Sequence, residues 1–405
     1  QNFAGDKMKF FQKNELKLLW PFYLDALLSP LLYFLPAFIV VFLTGLELSF
    51  FQIGLLIAVT PLFMLIFEIP TGAVADLYGR KFSVLLGISL EGLVVLSLFF
   101  VRDYYLLLAA FAALGFASTL SSGSKEAWVI DLVKGKGKNL SRSYFHKSQG
   151  IDAFALVISG ILGAFLVKWF GMSSIWLFAF FSFMISVSIL LFAKENFAKR
   201  KVKIGRSFRG LFRQSKETVS YGYKHPVLYY YLMATFVFVV ALSFGISMTW
   251  TPFLLDLDFP AHYFGYMWSA IAVIMMTSPI ISSKFLKEKK EKKFIMIGFF
   301  LSALTMFFIL LPKRWIPALI ILLAVQFFMM LGMPASKMYF HRFVPSKLRA
   351  TMKSVDSMIA SLAGIVAMPL VGYLVDVIGA RYTIFIYAPL MFLVIFIYSR
   401  IKEEE

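Results

Sequence analysis

GAVADLYGRK, Gly72 to Lys81, sets two glycines, an acid and two bases between two long apolar runs. Leu55–Pro70 upstream is almost wholly apolar, and Phe82–Val101 downstream is the same apart from Glu91. A turn this short and charged between two such runs belongs at a membrane surface. Gly72 and Gly79 permit a tight turn and close backbone approach. Asp76 is suited to face a helix N-terminus, and Arg80 to pair with an acid on a neighbouring helix.

Composition supports the membrane reading. The 405 residues are 60% hydrophobic and 18% aromatic, and only 15% charged; their mean hydropathy is +0.81. Soluble domains carry about 25% charged residues. No cysteine is present, which excludes disulfides, iron–sulfur clusters and thiolate chemistry, and the four histidines are too scattered to suggest a metal site.

Runs of about 20 apolar residues suffice to cross about 30 Å of hydrocarbon. Twelve are expected: Leu18–Leu43, Phe51–Ala75, Phe82–Val101, Tyr104–Val129, Tyr144–Val167, Met172–Ala193, Val227–Leu255, Tyr263–Ser283, Phe294–Leu311, Ile316–Tyr339, Thr351–Val375 and Tyr382–Tyr398. The fold class is therefore an all-α integral membrane protein of twelve transmembrane helices in two six-helix bundles. Prolines inside the runs, such as Pro30, Pro61 and Pro252, read as kinks whose freed backbone groups neighbouring helices can satisfy.

With both termini cytoplasmic, 35 of the 40 Lys and Arg fall on the inner side and only Arg102, Lys168, Lys313, Arg314 and Arg381 outside. The positive-inside rule thus fixes the expected orientation and explains the net charge of +18. Anionic lipid of the inner leaflet is the expected partner of that charge, and nucleic acid is not. The first 17 residues are polar and basic, with no signal peptide expected. The expected organisation is a first bundle over residues 1–193, a basic cytoplasmic linker over 194–226 and a second bundle over 227–405. Within the linker, Phe208, Leu211 and Phe212 among basic residues suggest a short amphipathic helix on the membrane surface. The basic run Lys284–Lys293 occupies the position in the second bundle that Gly72–Lys81 occupies in the first.

The spacing G-x-x-x-D-x-x-G-R-K at Gly72–Lys81 resembles the loop between helices 2 and 3 of major facilitator superfamily transporters. EIPTGAVADLYGRK (Glu68–Lys81) is similar to the extended form in many prokaryotic members, and SGSKEAWVID (Ser122–Asp131) and VPSKLRAT (Val344–Thr351) resemble their helix 4 end and their loop into helix 11. GILGAFL (Gly160–Leu166) resembles the small-residue stretch of helix 5 that exporters elaborate with a proline, absent here. The resemblance implies two pseudo-symmetric halves built from inverted repeats, with a cavity between them at mid-membrane. It implies a gate formed by Gly72, Asp76, Gly79, Arg80, Lys81, Glu126 and Asp131. In that gate Asp76 faces the start of helix 11 near Lys353 and Asp356, and Arg80 faces an acid of helix 4.

Ionisable residues inside a membrane are costly and need a partner, a cavity or a proton, so they mark function by default. Asp25, Glu68, Glu91 and Asp152 fall inside expected spans of the first half, none with a Lys or Arg at i+3 or i+4, and are the proton-coupling candidates. Glu68 and Glu91 also have structural readings, as partners of backbone groups near Pro70 and of a neighbouring helix. In the second half, Thr249, Trp250, Trp268 and Gln326 are the substrate-cavity candidates; Lys337 is expected to snorkel to the interface.

These features predict a monomeric secondary transporter in a prokaryotic cytoplasmic membrane, working by alternating access. The cavity, apolar, aromatic and dotted with acids, points to proton-coupled export of a small amphipathic organic solute. Uptake of a metabolite such as a sugar or nucleoside, or lipid translocation, is the alternative. No cofactor is expected beyond an ion gradient. No nucleophile–base pair or metal cluster suggests an enzyme.

Overall fold

The computed structural model describes residues 11, 15–135, 140–196, 225–286, 290–344 and 349–401. Twelve helical spans are described: α1 Glu15–Thr44, α2 Phe50–Tyr78, α3 Arg80–Leu98, α4 Tyr104–Val133, α5 Leu140–Phe170, α6 Ser174–Leu190, α7 Val227–Leu255, α8 Tyr263–Phe285, α9 Glu291–Leu310, α10 Trp315–Phe343, α11 Arg349–Ile378 and α12 Ala380–Arg400. Eleven are long and apolar enough to cross a membrane; α6, with 17 residues, is the short one. Large apolar side chains such as Phe100, Phe192, Ile320 and Val366 are exposed on the outside of the bundle. In water such a surface would aggregate, whereas in lipid it is the solvated face. Most of the expected basic linker and its amphipathic stretch (197–224), with 287–289 of the second basic run and 345–348 before α11, lie outside the described residues.

Several spans are interrupted, α12 at Ile386 among them, and three of the breaks carry local features of note. In α1, Pro30 and Pro36 lack the amide proton a continuous helix needs. The chain therefore passes from Glu15–Leu28 through a 3₁₀ turn, Ser29–Leu32, into Leu35–Thr44. In α4 the break is at Ser122–Gly123, and Gly123 has φ +67°, open to glycine at little cost. In α7 a π turn at Ser243–Ser247 precedes the Trp250–Leu255 segment.

The first six spans meet the last six chiefly along two pairs, α2 with α11 and α5 with α8, with smaller contacts from the Leu35–Thr44 part of α1 to α8 and to the Trp250–Leu255 part of α7. Small residues allow the approach. A Cβ on Gly54 would overlap the Met368 carbonyl, one on Gly372 the Phe50 carbonyl, and one on Gly160 Ser269 and the Gly265 carbonyl. Ser269 Oγ donates to the Val157 carbonyl across the α5–α8 seam at 2.6 Å. All these contacts lie toward the end of the bundle where α2 begins and α11 finishes, here called the far face. At the other end, the basic face carrying Gly72–Lys81, nothing comes within 4 Å of a Cβ placed on Gly72 or Gly150. Among the described residues, the two halves pack closely at the far face and show no such close approach at Gly72 and Gly150 on the basic face.

Candidate functional site

The break in α4 decides the chemistry of the first half. After Gly123 the helix restarts, and Lys125 in its first turn extends toward α1, where its ammonium donates to Asp25 Oδ2. The other oxygen of Asp25 accepts from Ser29 Oγ at 2.5 Å, and Ser29 opens the 3₁₀ turn of α1. The Asp25 side chain is 1% exposed, while that of Lys125 is 37% exposed. Asp152 of α5, half-buried, lies within electrostatic reach of both Lys125 and Asp25. Tyr144, also of α5, is buried within reach of Asp152, Asp25 and Glu126, its ring 5.2 Å from that of Tyr23. Two aspartates and one lysine from three helices therefore share one site at membrane depth. Fully ionised, they carry one net negative charge; a single proton makes the site neutral.

The sequence places Asp25 and Asp152 inside expected spans of the first half, and the structure brings them together. The sequence reads Lys125 as part of a charge cluster with Arg80 at the inner end of span 4; its pairing with Asp25 was not foreseen because it is neither three nor four residues from any acid it serves. A glycine followed by a lysine inside an apolar run was the available signal.

The other two acids sit elsewhere. Glu91 is buried between α3 and α4 and accepts from Ser121 Oγ at 3.1 Å, a contact within one bundle. Glu68 is exposed; its backbone carbonyl accepts from Thr71 Oγ1 at 3.3 Å.

At the basic face, Arg80 Nε donates to Asp131 Oδ2 at 2.9 Å, joining α3 to α4, and Glu126 is exposed beyond that pair. Lys81 Nζ donates to the carbonyls of Leu191 (2.7 Å) and Ala193 (2.9 Å) after α6, and its amide donates to Glu195 Oε1 at 2.9 Å. Gly79 has φ +103°, so the turn from α2 to α3 requires glycine there. Asp76 is half-buried and makes no hydrogen bond or ion pair among the described residues. Asp356 is bonded instead by Thr235 Oγ1 of α7 at 3.0 Å. Among the described residues no hydrogen bond or ion pair joins Asp76 to α11. A second buried ion pair, not foreseen from sequence, ties α1 to α5: Lys147 Nζ lies 2.8 Å from Glu15 Oε2, and Tyr23 donates to Glu15 Oε1 at 2.5 Å.

A sequence profile of the Major Facilitator Superfamily matches residues 26–312 and 289–405, most of the chain. The chain belongs to the major facilitator superfamily. As a superfamily member it is an integral membrane secondary transporter and not an enzyme. It is 23% identical over 379 residues to the uncharacterised MFS-type transporter YxaM of Bacillus subtilis (strain 168), covering 90% of this chain and 92% of that protein. Solved structures share the fold. A bacterial homologue of the iron transporter ferroportin, in its inward-facing state, superposes with a TM-score of 0.74 at 13% identity over 98% of this chain and 99% of that one. The nucleoside transporter NupG gives 0.73 at 14% identity over 96% and 99%. The human organic anion transporter MFSD10 gives 0.65 at 16% identity over 96% and 100%.

In this superfamily frame the cavity candidates of the second half divide. Thr249 and Trp250 are buried and bonded within α7: Thr249 Oγ1 donates to Phe244 O at 2.6 Å and Trp250 Nε1 to Gly245 O. The π turn explains their placement, because it leaves carbonyls that these two side chains satisfy. Both side chains are therefore engaged at the helix break. Gln326 of α10 and Trp268 of α8 keep a buried Oε1 and a buried Nε1 without a hydrogen-bond partner among the described residues. A buried polar atom without a partner costs about 1–3 kcal/mol, so these two are available to a ligand.

Proposed function

We propose that this transporter is a proton-coupled antiporter that exports a small amphipathic organic solute, preferentially one carrying a positive charge, with the Asp25–Lys125–Asp152 site as its exchange centre. The observation that carries this reading is the charge of that site. Ionised, it holds one negative charge in excess and favours a cation; protonated, it is neutral and favours release. Solute and proton then compete for one place, and competition is what antiport requires. Asp152 is the group placed to take the proton, since Asp25 is already held by Lys125 and Ser29. The distribution of Lys and Arg puts the basic face in the cytoplasm, so an export cycle would load from that face. One pH unit supplies about 1.4 kcal/mol per proton, and 100 mV about 2.3 kcal/mol per charge. Exchange of one proton for a neutral solute draws on both and supports about tenfold to several-hundredfold expulsion, whereas exchange for a monovalent cation moves no net charge and draws on the pH gradient alone, about tenfold per unit.

A second reading is proton-coupled uptake of a polar metabolite such as a nucleoside or sugar. It is favoured by the unpaired buried atoms of Gln326 and Trp268, which suit a hydroxylated ligand.

Reconstitution into liposomes with a pH dye inside decides between them. Amphipathic cations are expected to evoke proton flux that is lost in Asp152→Asn and altered in Asp25→Asn. Unchanged pH dependence in both variants refutes the coupling site. Thermal stabilisation by nucleosides or sugars, with none by amphipathic cations, replaces export with uptake.

A further inference from the structure

The pattern of Gly72–Lys81 occurs a second time, 300 residues further on and at the opposite face. Gly372-Tyr-Leu-Val-Asp376-Val-Ile-Gly379-Ala-Arg381 repeats its glycines, its aspartate and its final base. The first copy joins α2 to α3 at the basic face, and the second joins α11 to α12 at the far face.

The two copies fold alike. Gly79 has φ +103° and ψ 153°, and Gly379 has φ +81° and ψ 159°. Gly79 donates to Ala75 O at 3.1 Å and Gly379 to Val375 O at 3.0 Å; Ser83 and Thr383 then donate back to the two glycine carbonyls, each at 3.2 Å. The base two residues after each glycine binds the end of an equivalent helix. Lys81 reaches the carbonyls after α6, and Arg381 Nη1 reaches Leu310 O at the end of α9, at 3.0 Å.

They differ at the aspartate. Asp376 crosses the interface between the halves and accepts from the amides of Phe50 (2.9 Å) and Phe51 (2.8 Å), the first two residues of α2. The next amide, Gln52, is taken by Ser49 Oγ at 3.2 Å, so the opening turn of α2 is fully capped. Gly372 lies one turn before Asp376, where the Phe50 carbonyl leaves no room for a Cβ. Among the described residues Asp76 has no such bond, and nothing lies within 4 Å of a Cβ on Gly72.

We infer that Asp376 is a positioning residue of the transport cycle that latches the far gate shut by capping α2, as a far-face counterpart of the gate that the family resemblance assigns to Asp76. The carboxylate and the helix end attract each other only while α2 and α11 touch at the far face. Opening that face exposes the Phe50 and Phe51 amides. The inference goes beyond the proposed substrate and coupling, and needs only alternating access.

Because the chain has no cysteine, spin labels can be placed without removing any. One pair, Tyr105→Cys with Lys313→Cys, reports the far face; another, Lys134→Cys with Lys284→Cys, reports the basic face. All four positions are exposed. In nanodiscs, Asp376→Ala is expected to raise the ratio of far-open to basic-open protein about two- to fivefold, the effect of an exposed carboxylate at a helix N-terminus. Asp376→Asn, nearly the same shape and suited to either outcome of folding, is expected to shift it in the same direction by less. Unchanged distances in Asp376→Asn and Asp376→Ala overturn the latch, including when melting temperature falls, since a merely structural residue would lower stability without moving the ratio.

Discussion

Replacing Lys125 with Met is expected to destabilise the protein more than replacing Lys125 and Asp25 together. In the native site the Asp25 carboxylate is almost wholly buried, and its only described donors are Lys125 and Ser29. Met fills the lysine's stem but leaves that carboxylate with one hydroxyl donor and with Asp152 nearby. Removing one partner of a fully buried pair costs about 3–5 kcal/mol. The lysine here is a little more than a third exposed, so water softens the loss, and about 2–3 kcal/mol is the figure to expect after that discount. Asp25→Asn with Lys125→Met leaves only the half-buried Asp152 charged in the site, and its cost should fall below that of Lys125→Met alone. The four proteins of the cycle, purified in one detergent, would be compared by thermal unfolding at pH 7.5 under matched scan rates. A destabilisation of 2–3 kcal/mol lowers the midpoint by several degrees. A Lys125→Met protein that melts with the wild type, or a double variant as destabilised as the sum of the singles, refutes the pairing of α4 with α1.

Two further outcomes follow from packing. Gly160→Leu places a side chain against Ser269 and the Gly265 carbonyl, so the α5–α8 seam at the far face is wedged open. Transport should be lost, and the Tyr105–Lys313 spin-label distance should lengthen; an unchanged distance contradicts the tight seam. Ser302→Ala removes the hydroxyl that lies 2.5 Å from the buried Tyr387 hydroxyl and also donates to Val325 O. Leaving buried polar groups without a partner should cost about 1–3 kcal/mol, read as a lower melting temperature with transport at mild temperature retained; an unshifted midpoint contradicts it.

The membrane class and the twelve spans were legible because lipid imposes a length and a polarity on every crossing segment, whatever it packs against. All twelve expected runs fall on the described helices. The interruption of α1 is likewise written in Pro30 and Pro36. The site was only half legible. Asp25 and Asp152 are conspicuous as acids in apolar runs, but Lys125 reads as one of a charge cluster at a span end until the turn at Gly123 aims it at α1. The engagement of Thr249 and Trp250 was not legible, because a sequence does not show which backbone carbonyls a π turn leaves to be satisfied.

The Gly72–Lys81 stretch shows where the division lies. Its glycine spacing and its charges are local properties: a turn with positive φ needs glycine wherever it occurs, and a cluster of bases stays out of hydrocarbon. The sequence alone therefore determined that a charged turn joins two spans at a membrane surface. Which aspartate has a partner is a different kind of fact. Asp76 and Asp376 stand in nearly the same local sequence, yet only Asp376 meets a helix end. That end belongs to a segment more than 300 residues away, and whether it arrives depends on how two bundles tilt against each other. Hydrogen bonds and charge pairs act over a few ångströms, so only the tertiary arrangement decides which of the two is made.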